Sequence, residues 1–261
     1  MSLPTEEEKD AIKVFRENLK DALTEDELGD DFFLLRWLRA RDLDLVKSEQ
    51  MLRTAISWRI ENNVDDVLNK KIDPFFPENY PRWIGGVDKE GRPIYCAGVG
   101  QWDLRTVVRK GESKGFQEYT THGFESMMQL LKEANDVRES PAEDTTAPPI
   151  TQIIAIFDFA GFAWSQLLNY KAVGELLQLG SIYEAYYPEI LHSCYFINCP
   201  SLISKIFILL KPILAPKTMA KIKCFGNSKD EWRAEFLTVI DEDQLVPEIG
   251  GTRGLICNNS M

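Results

Sequence analysis

Few side chains in this sequence are spaced for covalent or metal chemistry. There are only two histidines, His122 and His192, and neither has another metal ligand near it in sequence. Each reads as a packing or surface residue rather than a base. The turn Gly86-Val-Asp-Lys-Glu-Gly91-Arg92 has the outline of a phosphate-cradling loop. It lacks the Lys and the Ser or Thr that must follow the second glycine, and Asp88 and Glu90 would repel phosphate, so it reads as a hairpin turn. No Gly-x-Ser-x-Gly elbow and no His-Glu-x-x-His helix occurs. Gly98-Val-Gly100 lacks the third glycine of a dinucleotide fingerprint, and Cys199 is followed at the sixth position by Lys205 instead of the Arg of a phosphatase loop. Asp158, directly after an apolar run, stands where an α/β fold can place a catalytic carboxylate; it could equally cap the next turn, and the cap is the preferred reading.

The five cysteines, Cys96, Cys194, Cys199, Cys224 and Cys257, show no Cys-x-x-Cys spacing. They read as buried free thiols in a reducing compartment, and no metal site is expected. The first residues have no basic segment leading into an apolar core, so no secretory signal is read, and the expected location is the cytoplasm.

The stretch that carries chemical information is Ser201 to Leu214, SLISKIFILLKPIL. As a helix it is apolar nearly all round: Leu202, Ile206, Leu209 and Ile213 form one stripe, and Ile203, Phe207, Leu210 and Leu214 another. Such a helix must be buried on most sides or touch lipid. It is too short to span a bilayer, which needs roughly 18 to 20 residues, and Pro212 should kink or end it. Lysines 205, 211, 217, 221 and 223 fall between Cys199 and Phe225 with no Asp or Glu among them. Two readings fit: a core helix with solvated lysines at its margins, or a surface that meets a membrane transiently. The formal net charge of −11 argues against nucleic acid as partner and against constant adhesion to an anionic membrane.

The elements that would position these residues follow from periodicity. Residues up to about Asn69 read as helical, with a Thr5/Glu8 capping box, Ile12, Phe15 and Leu19 on one face, a second helix over Phe32 to Leu38 and a third after Asp44. The proline-broken segment from Asp73 to Arg82 marks the passage to a second architecture. Two short strands flank Gly91, a long helix covers Phe116 to about Arg138, and Ser140 to Pro149 is a surface loop. Ile153–Phe157 reads as a strand buried on both faces. A helix at about Gln166–Tyr186 and a strand over Cys194–Asn198 complete a right-handed βαβ unit with a parallel pair.

Taken together these pieces resemble the CRAL-TRIO lipid-binding family. The resemblance rests on Phe33-Leu-Leu-Arg-Trp-Leu-Arg-Ala-Arg41 with Leu43-Asp44, then Asp88-x-x-Gly91-Arg-Pro-Ile-Tyr95, Phe157-Asp158-x-x-Gly161 and Tyr187-Pro188-Glu189. It continues with Lys211-Pro212-x-Leu214, Thr218-x-x-Lys221-Ile222 and Leu245-x-Pro247-x-x-Gly250-Gly251, in the family's order and over nearly the whole chain. It is most similar to the animal branch of supernatant protein factor and tocopherol-associated protein; those relatives carry a further C-terminal β-sandwich domain, and because this sequence stops shortly after Gly251 the expectation is either a short form or a truncated chain. The resemblance implies an α/β fold: an N-terminal helical unit, 1–72, and a lipid-binding domain, 73–261, with a mostly parallel sheet floor and a mobile gate helix over a hydrophobic cavity.

For the gate, the matching residues are Leu202, Ile203, Ile206, Phe207, Leu210, Lys211, Pro212, Ile213 and Leu214. A gate that is core when shut and membrane-facing when open joins the two readings of that segment. The resemblance also implies a non-enzymatic carrier with no cofactor other than its bound lipid: phosphatidylinositol, phosphatidylcholine, or an isoprenoid such as tocopherol or squalene. A second reading is a lipid-sensing module acting on a GTPase or a lipid kinase. The phosphoinositol headgroup is held in family members by residues matching Arg41, Glu189, Thr218 and Lys221, cations for the phosphate and oxygens for hydroxyls. The position after Arg41, basic in the fungal phosphatidylinositol/phosphatidylcholine transfer protein, is Asp42 here. That acid weakens the case for phosphoinositide and leaves room for a neutral isoprenoid. The expected cavity lining is Tyr119, Phe157, Phe159, Phe162, Ile182, Phe207 and Leu210.

Overall fold

A computed structural model describes residues 1–138, 148–201 and 203–253. The expected surface loop at 140–149 lies almost wholly outside the described residues, as do Leu202 and Cys257.

Four helices open the chain: α1 (Glu6–Asn18), α2 (Glu25–Gly29), α3 (Asp31–Ala40) and α4 (Leu45–Glu61). The Thr5/Glu8 capping box forms, and Asp44 caps α4 through the Lys47 amide. A second capping box, Thr24/Glu27, starts α2, a short helix additional to the three expected from the sequence. Ile12, Phe15, Leu19, Leu34, Leu35, Leu38 and Leu52 close one apolar core between these helices. Glu8 ties α1 to α3 with a two-pronged ion pair to Arg39, at 2.7 and 2.9 Å.

The remainder is an α/β layer structure. After α5 (Phe75–Asn79), strands β1 (Arg82–Val87) and β2 (Pro93–Ala97) form an antiparallel hairpin. Gly91, at φ 86, makes the turn between them, and the Asp88 carboxylate accepts from the Glu90 and Arg92 amides. Helices α6 (Leu104–Lys110) and α7 (Ser113–Arg138) precede β3 (Ile153–Asp158). Then follow α8 (Tyr170–Tyr186), β4 (Leu191–Ile197), α9 (Ile203–Leu210), α10 (Pro216–Ala220), β5 (Ile222–Cys224) and α11 (Lys229–Val239). The sheet runs β1-β2-β3-β4-β5; only β1–β2 is antiparallel. Thus β3-α8-β4 is the parallel crossover unit read from the sequence.

Side-chain alternation along the strands sorts the two faces. Ile94, Cys96, Ile154, Ile156, Tyr195 and Ile197 pack under α11 with Trp232 and Phe236. Ala155, Cys194 and Phe196 face the other way, into the larger cluster with α7, α8 and α9. The two parts of the chain meet through α4 and the end of α8, where Trp58 stacks on Tyr186 at 4.0 Å. Boundaries shift where a local cap outweighs periodicity. α8 begins at Tyr170 because Asn169 caps it, accepting from the Lys171 and Ala172 amides, and the residues before it, 164–168, form a 3₁₀ turn. α9 ends at Leu210, two residues before Pro212, as the proline requires.

Among the described residues, no helix is long and apolar enough to cross a membrane. Among the same residues, no cluster of three His, Cys, Asp or Glu side chains is arranged to hold a metal ion. The expectation that the cysteines are buried needs one correction. Cys96, Cys194 and Cys199 are buried, but Cys224 is exposed, because β5 is a three-residue strand at the edge of the sheet formed by the described residues.

Candidate functional site

The polar end of the site is built on three turns. Glu189 sits between α8 and β4 in the left-handed conformation, φ 59, and Gln152 pins that turn by donating to the Glu189 and Leu191 carbonyls, both at 3.2 Å. α10, begun by Pro216 at its first turn, presents Lys217 and Thr218, and Lys221 follows at its end. The third turn closes α3, where Asp42 and Leu43 are also left-handed, φ 51 and 63.

Glu189 lies between two ammonium groups: Lys221 Nζ at 3.0 Å from one oxygen and Lys217 Nζ at 3.2 Å from the other. Burial alone would push its carboxyl up, but Lys221 and then Lys217 more than offset that and hold it below its usual value. Lys217 also donates to the Arg39 carbonyl at the end of α3, a favourable position for a cation. It lies 3.9 Å from the exposed Asp42 carboxylate.

Of the four expected headgroup residues, the structure therefore joins Glu189 and Lys221 directly. Thr218 is buried beside them, but its hydroxyl donates to Glu184, at 3.0 Å, and not to Glu189. Arg41 belongs to the neighbouring turn, and its guanidinium donates to the Ala40 carbonyl, at 3.0 Å. Two participants were not singled out from the sequence, Lys217 and Glu184. Lys217 carried a signal, since it precedes Lys221 by four residues, one helical turn. Glu184 carried none, because only tertiary packing brings α10 against α8.

The apolar end lies over the side of the sheet that faces α7, α8 and α9. Tyr119, Phe159, Ile182 and Leu210 are buried in the large cluster, and Phe157, Phe162 and Phe207 are half-buried against it, so all seven expected lining residues share one apolar region. Tyr119 has a second role: its hydroxyl donates to the Tyr80 carbonyl at 2.7 Å, and Arg82 stacks over its ring at 4.2 Å. Phe207 of α9 stacks on Phe196 of the sheet, ring centroids 5.8 Å apart.

α9 is sided, although its sequence is apolar all round. Ile206 and Leu210 are buried, Ile203 and Phe207 half-buried, whereas Ile208 is 70% exposed between exposed Lys205 and Lys211. Beyond α9, Lys211 and Pro212 are exposed and Ile213 and Leu214 are half-buried. This end of the segment lies on α8 at Gly180, where a Cβ would stand 3.5 Å from Leu210, 3.7 Å from Ile213 and 3.8 Å from Leu214.

Asp158 caps the turn after β3. Its carboxylate accepts from the Ala160 amide and from the Asn198 side chain, both at 2.8 Å. His122 is buried in α7 with Arg82 at 2.8 Å, and His192 lies on the opposite side of the sheet.

The CRAL/TRIO domain family matches residues 78–251. Three Arabidopsis thaliana proteins named phosphatidylinositol/phosphatidylcholine transfer proteins are similar over most of this chain. SFH9 is 30% identical over 94% of it, SFH7 31% over 92% and SFH12 32% over 94%. Those matches span 41%, 43% and 44% of the three plant proteins, less than half of each. The solved structure of Sfh5 superposes with a TM-score of 0.64, covering 88% of this chain and 84% of that one at 15% identity, a likeness of fold alone. With the fold, the order of motifs and two thirds of the sequence in agreement, the chain belongs to the CRAL/TRIO domain family.

Proposed function

We propose that this chain is a lipid carrier: it encloses one hydrophobic molecule beneath α9 and exchanges it at membranes without chemical turnover. The observation that carries the reading is the sidedness of α9. Its inner face rests on the apolar region above the sheet, while Ile208 projects between two lysines into solvent. An inner greasy face with an outer cationic and apolar tip suits a lid that opens onto a lipid surface. Enclosure supplies the driving force, since each buried CH₂ gains about 0.8 kcal/mol and no catalytic group is needed. The plant relatives' names point to phosphatidylinositol and phosphatidylcholine as ligands.

In the same reading residues 1–72 are the helical unit and 73–261 the lipid-binding domain, cytoplasmic and transiently membrane-associated. The Glu189–Lys221–Lys217 cluster receives the headgroup, with Thr218 and Arg41 at its border. A phosphate would take over the lysines that Glu189 now engages, leaving Glu189 to accept from hydroxyls. Asp42 beside Lys217 tempers this preference for anionic headgroups and keeps a neutral isoprenoid as the competing ligand.

The test is extraction of the protein purified from cells into organic solvent, followed by mass spectrometry. One lipid per chain is expected, with exchange into labelled vesicles. No extractable lipid together with no uptake from vesicles refutes the carrier. A signalling role towards a lipid kinase or GTPase would use the same pocket; a variant that binds lipid, cannot exchange it and still functions in cells would identify that role.

A further inference from the structure

Cys199 and Cys224 have no part in lipid binding as described above, yet they form a close pair. β4 and β5 are parallel with Phe196 opposite Cys224, and the Cys199 amide donates to the Phe225 carbonyl at 2.9 Å just beyond the last strand pair. Cys199 is thereby held across from Phe225, one residue along the chain from Cys224. Cys199 is buried and Cys224 exposed on the open edge strand. By alternation along β5, Cys224 shares the side of Ile222, which packs into the cluster beneath α9. Cys199 stands at the head of the connection Cys199-Pro200-Ser201 that leads into α9.

We propose that Cys224 is an oxidant-sensitive thiol and Cys199 its resolving partner, so that peroxide ties the root of the α9 lid to the edge strand β5. The pair has the asymmetry such chemistry needs. The neighbouring Cys199 lowers the Cys224 thiol, whereas Cys224, and then burial, raise the Cys199 thiol. The Cys224 thiolate attacks one peroxide oxygen, the O–O bond breaks, and hydroxide leaves, giving a sulfenic acid. The Cys199 sulfur, its proton passed to solvent, attacks the Cys224 sulfur; the S–S bond forms, the S–O bond breaks, and the second hydroxide leaves as water. Two thiols and one hydrogen peroxide thus become a disulfide and two waters, with two electrons passed to the peroxide.

The consequence for α9 rests on the lid reading. A covalent tie four residues before Ile203 restricts the swing of the helix, so the oxidised protein should release and take up lipid more slowly. Cys194 and Cys96, buried under the sheet's side chains, are shielded from oxidant.

The experiment treats the reduced full chain with hydrogen peroxide, blocks remaining thiols with N-ethylmaleimide and maps the peptides by mass spectrometry. The expected product is a cross-linked peptide pair holding Cys199 and Cys224, lighter by two hydrogens and restored by dithiothreitol. It should also form in a Cys257→Ser chain, which removes the other partner. In Cys199→Ala, Cys224 should instead accumulate as a dimedone-trapped sulfenic acid and react several-fold more slowly with iodoacetamide near neutral pH. Failure to form the 199–224 cross-link in a folded chain overturns the proposal, whatever the exchange rate. If the cross-link forms but vesicle-to-vesicle exchange is unchanged, its coupling to the lid is overturned, while lipid extraction still judges the carrier.

Discussion

Replacing Gly180 with Ala tests the lid directly, because it acts on stability and on exchange through separate interactions. Gly180 lies inside α8, where glycine costs about 1 kcal/mol relative to alanine in backbone freedom. Gly180→Ala should recover about that much whether the lid is shut or open, raising the melting temperature by roughly 2 to 4 °C for a chain of this size. The added methyl would also sit in ordinary van der Waals contact with Leu210, Ile213 and Leu214, 3.5 to 3.8 Å away. Those contacts exist only when the end of α9 and the turn after it rest on α8. Losing a fully buried methyl on opening costs about 0.8 kcal/mol, and about 1.4 kcal/mol is tenfold in rate, so exchange should slow by up to about fourfold. The assay is transfer of a fluorescent lipid between vesicles, beside a thermal melt of the same preparation. A raised melting temperature with unchanged or faster exchange would mean that this junction does not part during transfer, and the lid mechanism drawn from α9 would be wrong.

Further outcomes follow from the same contacts. Lys221→Ala should weaken uptake of phosphatidylinositol, by roughly ten- to a hundredfold if a charge-assisted bond of about 1.5–3 kcal/mol is lost, and leave phosphatidylcholine uptake little changed. Equal effects on both lipids in a binding assay would remove Lys221 from the headgroup site. Asp42→Asn keeps a residue that tolerates the left-handed backbone at φ 51 while removing the charge beside Lys217. It should favour phosphatidylinositol over a neutral isoprenoid in competition, by less than about fivefold because the site is exposed. Ile208→Asp should slow vesicle-dependent exchange without lowering the melting temperature, since Ile208 projects into solvent; a matching loss of stability would place that side chain in the core.

Glu8→Gln should destabilise the helical unit by roughly 1 to 2 kcal/mol in denaturant titration, as its ion pair is only partly shielded from water. The hydrogen bond from Arg39, only partly opposed by burial, lowers the Glu8 carboxyl from 4.5 to about 2. Because the folded value is the lower one, that stabilisation is full above pH 4.5 and is lost as pH falls towards 2. An acid titration in which Glu8→Gln and the parent lose stability in parallel over this range would refute the assignment.

Local chemistry made much of this molecule readable from its residues. Thr5 with Glu8 and Asp44 with Lys47 set helix starts because a cap needs only neighbours in sequence. Pro212 stopped α9 by sterics alone, and Ile153 to Phe157 declared a buried strand through its branched apolar run. The carboxylate of Asp158 proved to be a turn cap, as preferred, because its donors lie two residues ahead and just beyond the adjacent strand.

Contacts between distant segments were not readable in this way. An apolar helix shows no periodicity that tells its buried face from its exposed one; the sheet and α8 assigned Ile206 and Leu210 inward and Ile208 outward. Lys217 was one lysine in a basic run until α10 docked beside the α3 turn and gave it Glu189 and the Arg39 carbonyl. Thr218 and Arg41 share the neighbourhood of Glu189 and Lys221, but their bonds go to Glu184 and Ala40. The sequence by itself determined where elements begin, where they stop and which family they compose, since caps, prolines and strand-forming runs act over a few residues. Tertiary structure alone decided which side of α9 faces water, which charges meet, and that Cys224 stands beside Cys199, because these depend on separations in space that chain order does not encode.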